Sequence, residues 1–147
     1  MRNLYPQLIR ILSAEATDKT RFKWGHCGTY ALALHDLSGG KLKLGMIRGE
    51  RTEDGDVSDV NVHSYVLHPT QPGKMLDVDG IADIKECAEE WESKQDSDSD
   101  PHYVEEEFNN REDFLKALKE TGHPEIKEMY AKAVKMIKKT GILKGYI

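Results

Sequence analysis

Cys27 is the residue whose type and position most clearly suggest chemistry. It stands in Trp24-Gly25-His26-Cys27-Gly28-Thr29, where an irregular polar stretch gives way to an apolar run. A thiol at the start of a helix lies at the positive end of the helix dipole, which favours the thiolate. The same position offers free backbone N–H groups to a developing oxyanion. The alternative interpretation is a small buried hydrophobic residue, which most free cysteines are.

His63 and Asp77 are the candidates to complete a nucleophilic site. A thiol nucleophile needs an imidazole as its base and ion-pair partner, and a third group usually holds that imidazole. Asp77 lies between strand hydrophobic residues, on a segment that returns beside the strand of His63. Its carboxylate could hold one imidazole nitrogen so that the other faces the thiol. Asp79 remains an alternative, although its place before Gly80 suits a turn equally well.

Three residues around the cysteine are candidates for substrate or oxyanion binding: Trp24, His26 and Gly28. The side chain of Trp24 or His26, or the backbone N–H of Cys27, could serve as the oxyanion donor. Glycines on either side of the cysteine would leave room for a substrate chain. His26 could equally be a polar residue at the rim of the site.

Metal and cofactor sites are not indicated. The histidines and cysteines lack the close pairs that structural zinc sites show, and no phosphate-binding loop or dinucleotide fingerprint is present. We therefore expect neither a metal nor a cofactor. The second cysteine, Cys87, lies among glutamates, which should raise its pKa and leave it inert.

The elements that must position these residues can be predicted from apolar spacing. Residues 4–15 fit one apolar helical face, and an almost wholly apolar helix runs from the cysteine to Leu37, where Ser38-Gly39-Gly40 ends it. Strands are predicted near residues 42–47, 60–67 and 74–78, with a polar loop at 50–59 and a turn at 70–73 that favours antiparallel pairing. The remaining predictions are a helix at 81–93, an extended segment at 102–108, and helices at 110–121 and 124–140.

The predicted fold is a single α+β domain over residues 1–147, in which a central helix packs on a small antiparallel sheet and further helices follow at the C-terminal end. Length and composition agree, since 147 residues with 38% hydrophobic and 32% charged side chains are typical of one globular domain. The residues show no signal-peptide core and no apolar run that could span a membrane, so we expect a cytoplasmic protein.

Charge is distributed unevenly along the chain. The net charge of −5 argues against nucleic-acid binding, but residues 81–107 alone carry eleven acidic and two basic side chains. The segment 94–101 is predicted to be a solvated acidic loop. Other interpretations of this loop are a docking strip for a basic partner or a phosphorylation site at Ser97 or Ser99.

Taken together, the segments Gly25–Leu34, His63 with its apolar strand, and Met75–Gly80 resemble the papain-like thiol superfamily. The resemblance is to small members with a Cys-His-Asp order, such as transglutaminase-like and arylamine-acetyltransferase-like domains. It implies a core at about 22–81, a helical C-terminal part at about 81–147, and roles for Cys27 as nucleophile, His63 as base and Asp77 as orienting residue. The chain departs from papain-type peptidases, which place a Gln before the cysteine, because residues 20–24 contain none.

The resulting functional prediction is a cysteine-dependent acyl-transfer enzyme of peptidase, amidase or deamidase, or acyl or glutamyl transferase type. Its substrate would be a protein or a small amide or ester. The alternative is a non-catalytic accessory module that binds proteins and keeps the same fold. The sequence leaves the oligomeric state open.

Overall fold

The computed structural model of the protein describes residues 19–23, 25–124 and 126–146. The predicted helix at 4–15 and the candidate Trp24 lie outside the described residues. Residues 19–23 are helical, and a short break separates them from the central helix.

The central helix α1 spans Cys27–Leu37 and is the core element of the fold. Its first eight residues are all buried, as expected for an apolar run that is covered on most sides. The helix ends at Ser38, and the next two residues, Gly39 and Gly40, both have positive φ angles, which glycine adopts without strain. The predicted central helix and its end are confirmed.

The sheet has five strands in the order β4-β3-β2-β1-β5, and every neighbouring pair is antiparallel. The strands are β1 (Leu44–Glu53), β2 (Asp56–Leu67), β3 (Lys74–Asp77), β4 (Gly80–Asp83) and β5 (His102–Phe108). With α1 packed on this sheet, the predicted α+β fold class is confirmed. The antiparallel pairing of β2 with β3 is confirmed as well.

The prediction of a polar loop at residues 50–59 is wrong. The β1–β2 ladder continues to the pair Glu53 and Asp56, so only Asp54 and Gly55 form the turn. Both turn residues have positive φ angles, of 51° and 83°, as a two-residue hairpin turn requires. The polar residues suggested a loop because both faces of this end of the hairpin are exposed. A strand that is exposed on both faces does not need alternating apolar residues.

The C-terminal part begins with an element that the sequence interpretation missed. Residues 80–83 form strand β4 rather than the first turn of a helix, and Asp83 then caps α2 (Ile84–Lys94) by accepting a hydrogen bond from the Glu86 N–H. The predicted helices at 110–121 and 124–140 are confirmed as α3 (Arg111–Glu120) and α4 (Lys127–Thr140).

The acidic segment 94–101 is mostly exposed and contains a single 3-10 turn, Ser97–Ser99. Ser99 is the exception, because its side chain is buried and its hydroxyl donates to the Asp96 carbonyl at 2.5 Å. Of the two serines named as possible phosphorylation sites, only Ser97 is therefore open to solvent.

The two faces of the sheet are covered by separate helices. One face packs against α1, α3 and α4 in the larger apolar core. The other face presents Ile47, Tyr65 and Met75 to Ile84 and Ala88 of α2 in a smaller core. This double covering explains why apolar residues occur at successive positions of the central strands.

Among the described residues, no helix has both the length and the hydropathy that crossing a membrane would require.

Candidate active site

The three residues proposed as a triad come from three elements that meet at one end of α1. Cys27 is the first residue of α1, His63 lies in β2, and Asp77 is the last residue of β3. Because β2 and β3 are neighbours in the sheet and α1 packs across them, the three side chains converge.

A β-bulge adjoins His63. His63 pairs with Ile47 and Asn61 pairs with Arg48, so Val62 has no partner on β1. An extra residue of this kind changes the side-chain alternation of a strand and increases its twist, and bulges are common next to active sites. The bulge therefore determines which side chains of β2 face α1.

Asp77 is the carboxylate that contacts the imidazole. His63 Nε2–H donates to Asp77 Oδ2 at 2.7 Å, and the Asp79 backbone N–H donates to Asp77 Oδ1 at 2.8 Å. The carboxylate of Asp79 is turned outward, where it pairs with Lys23 Nζ at 2.8 Å and Lys19 Nζ at 3.7 Å. The structure thus brings Asp77, rather than Asp79, to His63.

Two residues of β2 act on the Cys27 thiol. His63 lowers the pKa of Cys27 through its imidazole, and Ser64 lowers it through its backbone N–H and its hydroxyl. Since Asp77 occupies Nε2 of the imidazole, Nδ1 is the nitrogen left to face the sulfur.

These contacts shift all three pKa values in the direction of an ion pair. Burial alone would raise the pKa of Cys27, but the hydrogen bond and charge of His63, together with Ser64, hold it below its usual value. Burial would lower the pKa of His63, but Asp77 and Cys27 raise it to about 10. Burial would likewise raise the pKa of Asp77, yet His63 keeps it lowered. The three side chains therefore favour thiolate and imidazolium more than burial alone would allow.

Access to the sulfur is narrow. Cys27 is 7% exposed, His63 6% and Asp77 8%. Low exposure excludes water from the pair and strengthens its electrostatic attraction. It also limits the access of a reagent or substrate to the site.

The start of α1 supplies candidate oxyanion donors. No side chain caps the helix, so its first N–H groups have no acceptor within the helix. His26 is half-buried beside them, and its Nδ1 atom is buried without a hydrogen-bond partner. Trp24, the other side chain considered as an oxyanion donor, lies outside the described residues.

Gly28 does not leave room for a substrate, contrary to the sequence interpretation. A Cβ atom at this position would lie 2.5 Å from Leu118 Cδ2 and 2.9 Å from His123 Nε2. The glycine therefore lets Leu118 of α3 and His123 of the following loop pack closely on α1. At Gly25 the nearest atom to such a Cβ, among the described residues and apart from the chain neighbours, is the Arg21 carbonyl oxygen at 4.0 Å.

Cys87 differs from Cys27 in its surroundings. Burial, followed by the negative charges of Asp77 and Glu90, raises the pKa of Cys87 to about 11. At neutral pH it is a thiol, and it provides an internal reference for the reactivity of Cys27.

A cleft of about 540 Å³ lies elsewhere, between α3 and α4. Its lining includes Leu32 and His123 but none of Cys27, His63 and Asp77. Within the described residues, no group of three or more His, Cys, Asp or Glu side chains is arranged to hold a metal ion.

Comparison of the chain with protein-family models, with curated proteins and with solved structures gave no match in any of the three. The geometry of the site is therefore the basis for inferring the function.

Two residues of the site were not singled out from the sequence. They are Ser64, which lowers the pKa of Cys27, and Asn61, which is hydrogen-bonded to Ser64. In a regular strand, residues three apart point to opposite faces, so no local signal placed them together.

Proposed function

We propose that this protein is a cysteine-dependent acyl-transfer enzyme of the papain-like or transglutaminase-like thiol superfamily. The observation that carries the proposal is the convergence of Cys27, His63 and Asp77, with the imidazole held by a 2.7 Å hydrogen bond to Asp77 and lowering the pKa of the Cys27 thiol. Nucleophile, base and orienting group are thus arranged in the order that thiol catalysis requires.

The proposed reaction has two halves. The Cys27 thiolate attacks the carbonyl carbon of an amide, ester or thioester, and the oxyanion is stabilised by N–H groups at the start of α1. His63 then gives its proton to the leaving amine, alcohol or thiol as the C–N, C–O or C–S bond breaks. In the second half, His63 takes a proton from water or an amine, which attacks the thioester and releases the sulfur as thiolate. Asp77 stays ionised throughout.

The first test is the rate of Cys27 alkylation by iodoacetamide as a function of pH, with mass spectrometry separating Cys27 from Cys87. We expect Cys27 to react with an apparent pKa well below the free-thiol value of about 8.5. The variant His63→Ala should abolish that shift. Cys87 in the same sample should react only at high pH, because burial and negative charges raise its pKa to about 11.

A second measurement separates an enzyme from a binding module. Incubation with an activated ester such as p-nitrophenyl acetate should add one acetyl group to Cys27 in the wild-type protein and in Cys87→Ser, but not in Cys27→Ser. If Cys27 reacts like a free thiol whatever residue stands at position 63, the enzyme proposal fails. The non-catalytic binding module then becomes the better explanation.

A further inference from the structure

The cleft between α3 and α4 has an apolar floor. Two of its lining residues, Leu32 of α1 and Leu118 of α3, belong to the larger core and are 0% and 2% exposed. Leu115 of α3 and Ile126, the residue before α4, are only half-buried, so part of their apolar surface is left open to a ligand. The cleft volume of about 540 Å³ falls within the range of small-molecule sites, which is about 300–1,000 Å³.

Cationic side chains border this floor. Lys119 lies in the last turn of α3, Lys127 is the first residue of α4, and both are exposed at the cleft. Neither lysine forms an ion pair within the part of the chain that the structure describes. The described residues that line the cleft include no carboxylate. In a protein with a net charge of −5, this local positive charge attracts an anion to the cleft.

Two other polar residues of the cleft are already engaged. Arg111 of α3 pairs with Asp36 of α1, with 3.3 Å between Nε and Oδ1. His123 Nδ1–H donates to the carbonyl oxygen of the next residue at 2.6 Å, and burial lowers the pKa of His123, so its imidazole is neutral at neutral pH. The uncompensated positive charge therefore belongs to Lys119 and Lys127, which flank the loop from α3 to α4.

We propose that this cleft binds a small amphipathic anion, in which an apolar chain covers the floor and a terminal carboxylate or similar acidic group pairs with Lys119 and Lys127. Arg111 and Lys119 both line the cleft and are eight residues apart on α3, which is about 12 Å along a helix. This distance suits an acyl chain of medium length. The inference goes beyond the proposed function and is independent of it, because the cleft includes none of the three triad residues.

The first test compares three probes by isothermal titration calorimetry on the full chain at low salt. Octanoate carries both the apolar chain and the negative charge. Octyltrimethylammonium has the same chain with the opposite charge, and acetate has the charge without the chain. We expect saturable one-to-one binding for octanoate alone. Added salt should weaken it, because the two lysines are exposed and their attraction is screened.

A pair of double variants tests the lysines. Lys119→Gln combined with Lys127→Gln removes both cations, and we expect the dissociation constant of octanoate to rise about tenfold, as for the loss of two exposed ion pairs. Lys135→Gln combined with Lys138→Gln is the matched control, because it removes the same charge from exposed positions of α4 outside the cleft. The affinity of the control should stay close to that of the wild type.

Leu115→Trp tests the apolar floor. Leu115 is half-buried at the cleft, so a larger ring there fills space that octanoate would otherwise occupy. We expect octanoate binding to be lost while the urea unfolding midpoint changes little. Should this variant not fold, the two lysine variants carry the test.

Several results would overturn the proposal. Equal affinity for octanoate and octyltrimethylammonium would show that the cleft does not select for negative charge. Equal weakening in the two double variants would show only a general attraction to the protein, and undiminished binding to Leu115→Trp would place octanoate elsewhere. If vesicles that contain anionic lipid bind but monomeric octanoate does not, this surface contacts a membrane instead.

Discussion

Each charge in the site is stabilised by a specific neighbour against the effect of burial. Cys27, His63 and Asp77 are all nearly inaccessible to water, and burial disfavours the charged form of each. The pKa values shift the other way because His63 acts on Cys27 and Asp77 acts on His63, each with a group of opposite charge. Loss of one member should therefore change the protonation of the other two.

The Asp77→Asn variant tests this dependence. An amide cannot stabilise the imidazolium, so we expect the apparent pKa of Cys27 to rise and acylation by p-nitrophenyl acetate to fall by about 10²-fold or more. Asp79→Asn is the matched control, because it removes only the exposed ion pairs with Lys23 and Lys19. Equal losses in both variants would contradict the assignment of Asp77 to the imidazole.

The sequence allowed only part of this site to be predicted. Cys27, His63 and Asp77 could be named because the predicted helix start and the predicted pair of neighbouring strands together bring a thiol, an imidazole and a carboxylate into one region. Ser64 and Asn61 could not, since their proximity depends on an unpaired residue that appears only when β1 and β2 are aligned. The packing behind Gly28 depends on Leu118 and His123, some ninety residues away.

At the scale of elements, the β1–β2 hairpin combines a predictable turn with an unpredictable bulge. Asp-Gly is a strong signal for a two-residue hairpin turn, so Asp54 and Gly55 could have identified the turn despite the polar residues around them. Similarly, Asp83 followed three residues later by Glu86 is a helix-start signal that places the beginning of α2 after residue 81. The bulge at Val62 has no comparable local signature.

Deletion of Val62 tests what the bulge does. The ladder beyond it would become regular, and Asn61 would turn away from Ser64. We expect the apparent pKa of Cys27 to rise, because Ser64, which lowers that pKa, would lose its hydrogen bond to Asn61. Val62→Ala is the control, because it trims the side chain but keeps the bulge. It should cost about 1–2 kcal/mol of stability, measured by urea unfolding, and leave the alkylation profile unchanged. A shifted profile in both variants would assign the effect to packing.

For the whole molecule, the ion pair predicts how stability depends on pH. The unfolded values are about 6.5 for His and 8.5 for Cys. Folding raises the pKa of His63 to about 10 and lowers that of Cys27. The contribution of His63 to the free energy of unfolding is complete below about pH 6.5 and is lost as the pH rises through 10. That of Cys27 is complete above about pH 8.5 and is lost as the pH falls through its folded pKa.

Above about pH 6.5 and above the folded pKa of Cys27, and below about pH 8.5, the folded and unfolded states bind the same number of protons at this pair, so the two pH dependences cancel. We expect its stabilisation to stay constant over that range and to decline at higher pH. In Cys27→Ser the plateau should disappear, because the His63 contribution then declines from about pH 6.5 upward. Urea unfolding midpoints at a series of pH values measure this, and parallel curves for the two proteins would show that no ion pair exists.

Two acidic regions that are far apart in the sequence, the tip of the β1–β2 hairpin and the segment 94–101, are neighbours in the fold. The exposed tip of the β1–β2 hairpin is acidic, and Arg51 of β1 reaches Gln95 at the start of the acidic segment 94–101, with 3.1 Å between Nη1 and Oε1. The lysines of α4 lie on an element that packs against α1 instead. The sequence predicted how much charge each segment carries, but not that the hairpin tip adjoins the acidic segment.

The unequal covering of the two sheet faces implies a hierarchy of local opening. On one side, α1 belongs to a core shared by three helices. On the other, α2 is held by a small cluster that includes Ile84 and Ala88. Cooperative units with fewer buried contacts open at lower free energy. Amide hydrogens of α2 should therefore exchange with solvent sooner than those of α1, and slower exchange in α2 would contradict this hierarchy. The helix α1, which contains Cys27, would then stay folded while α2 opens locally on the other face of the sheet.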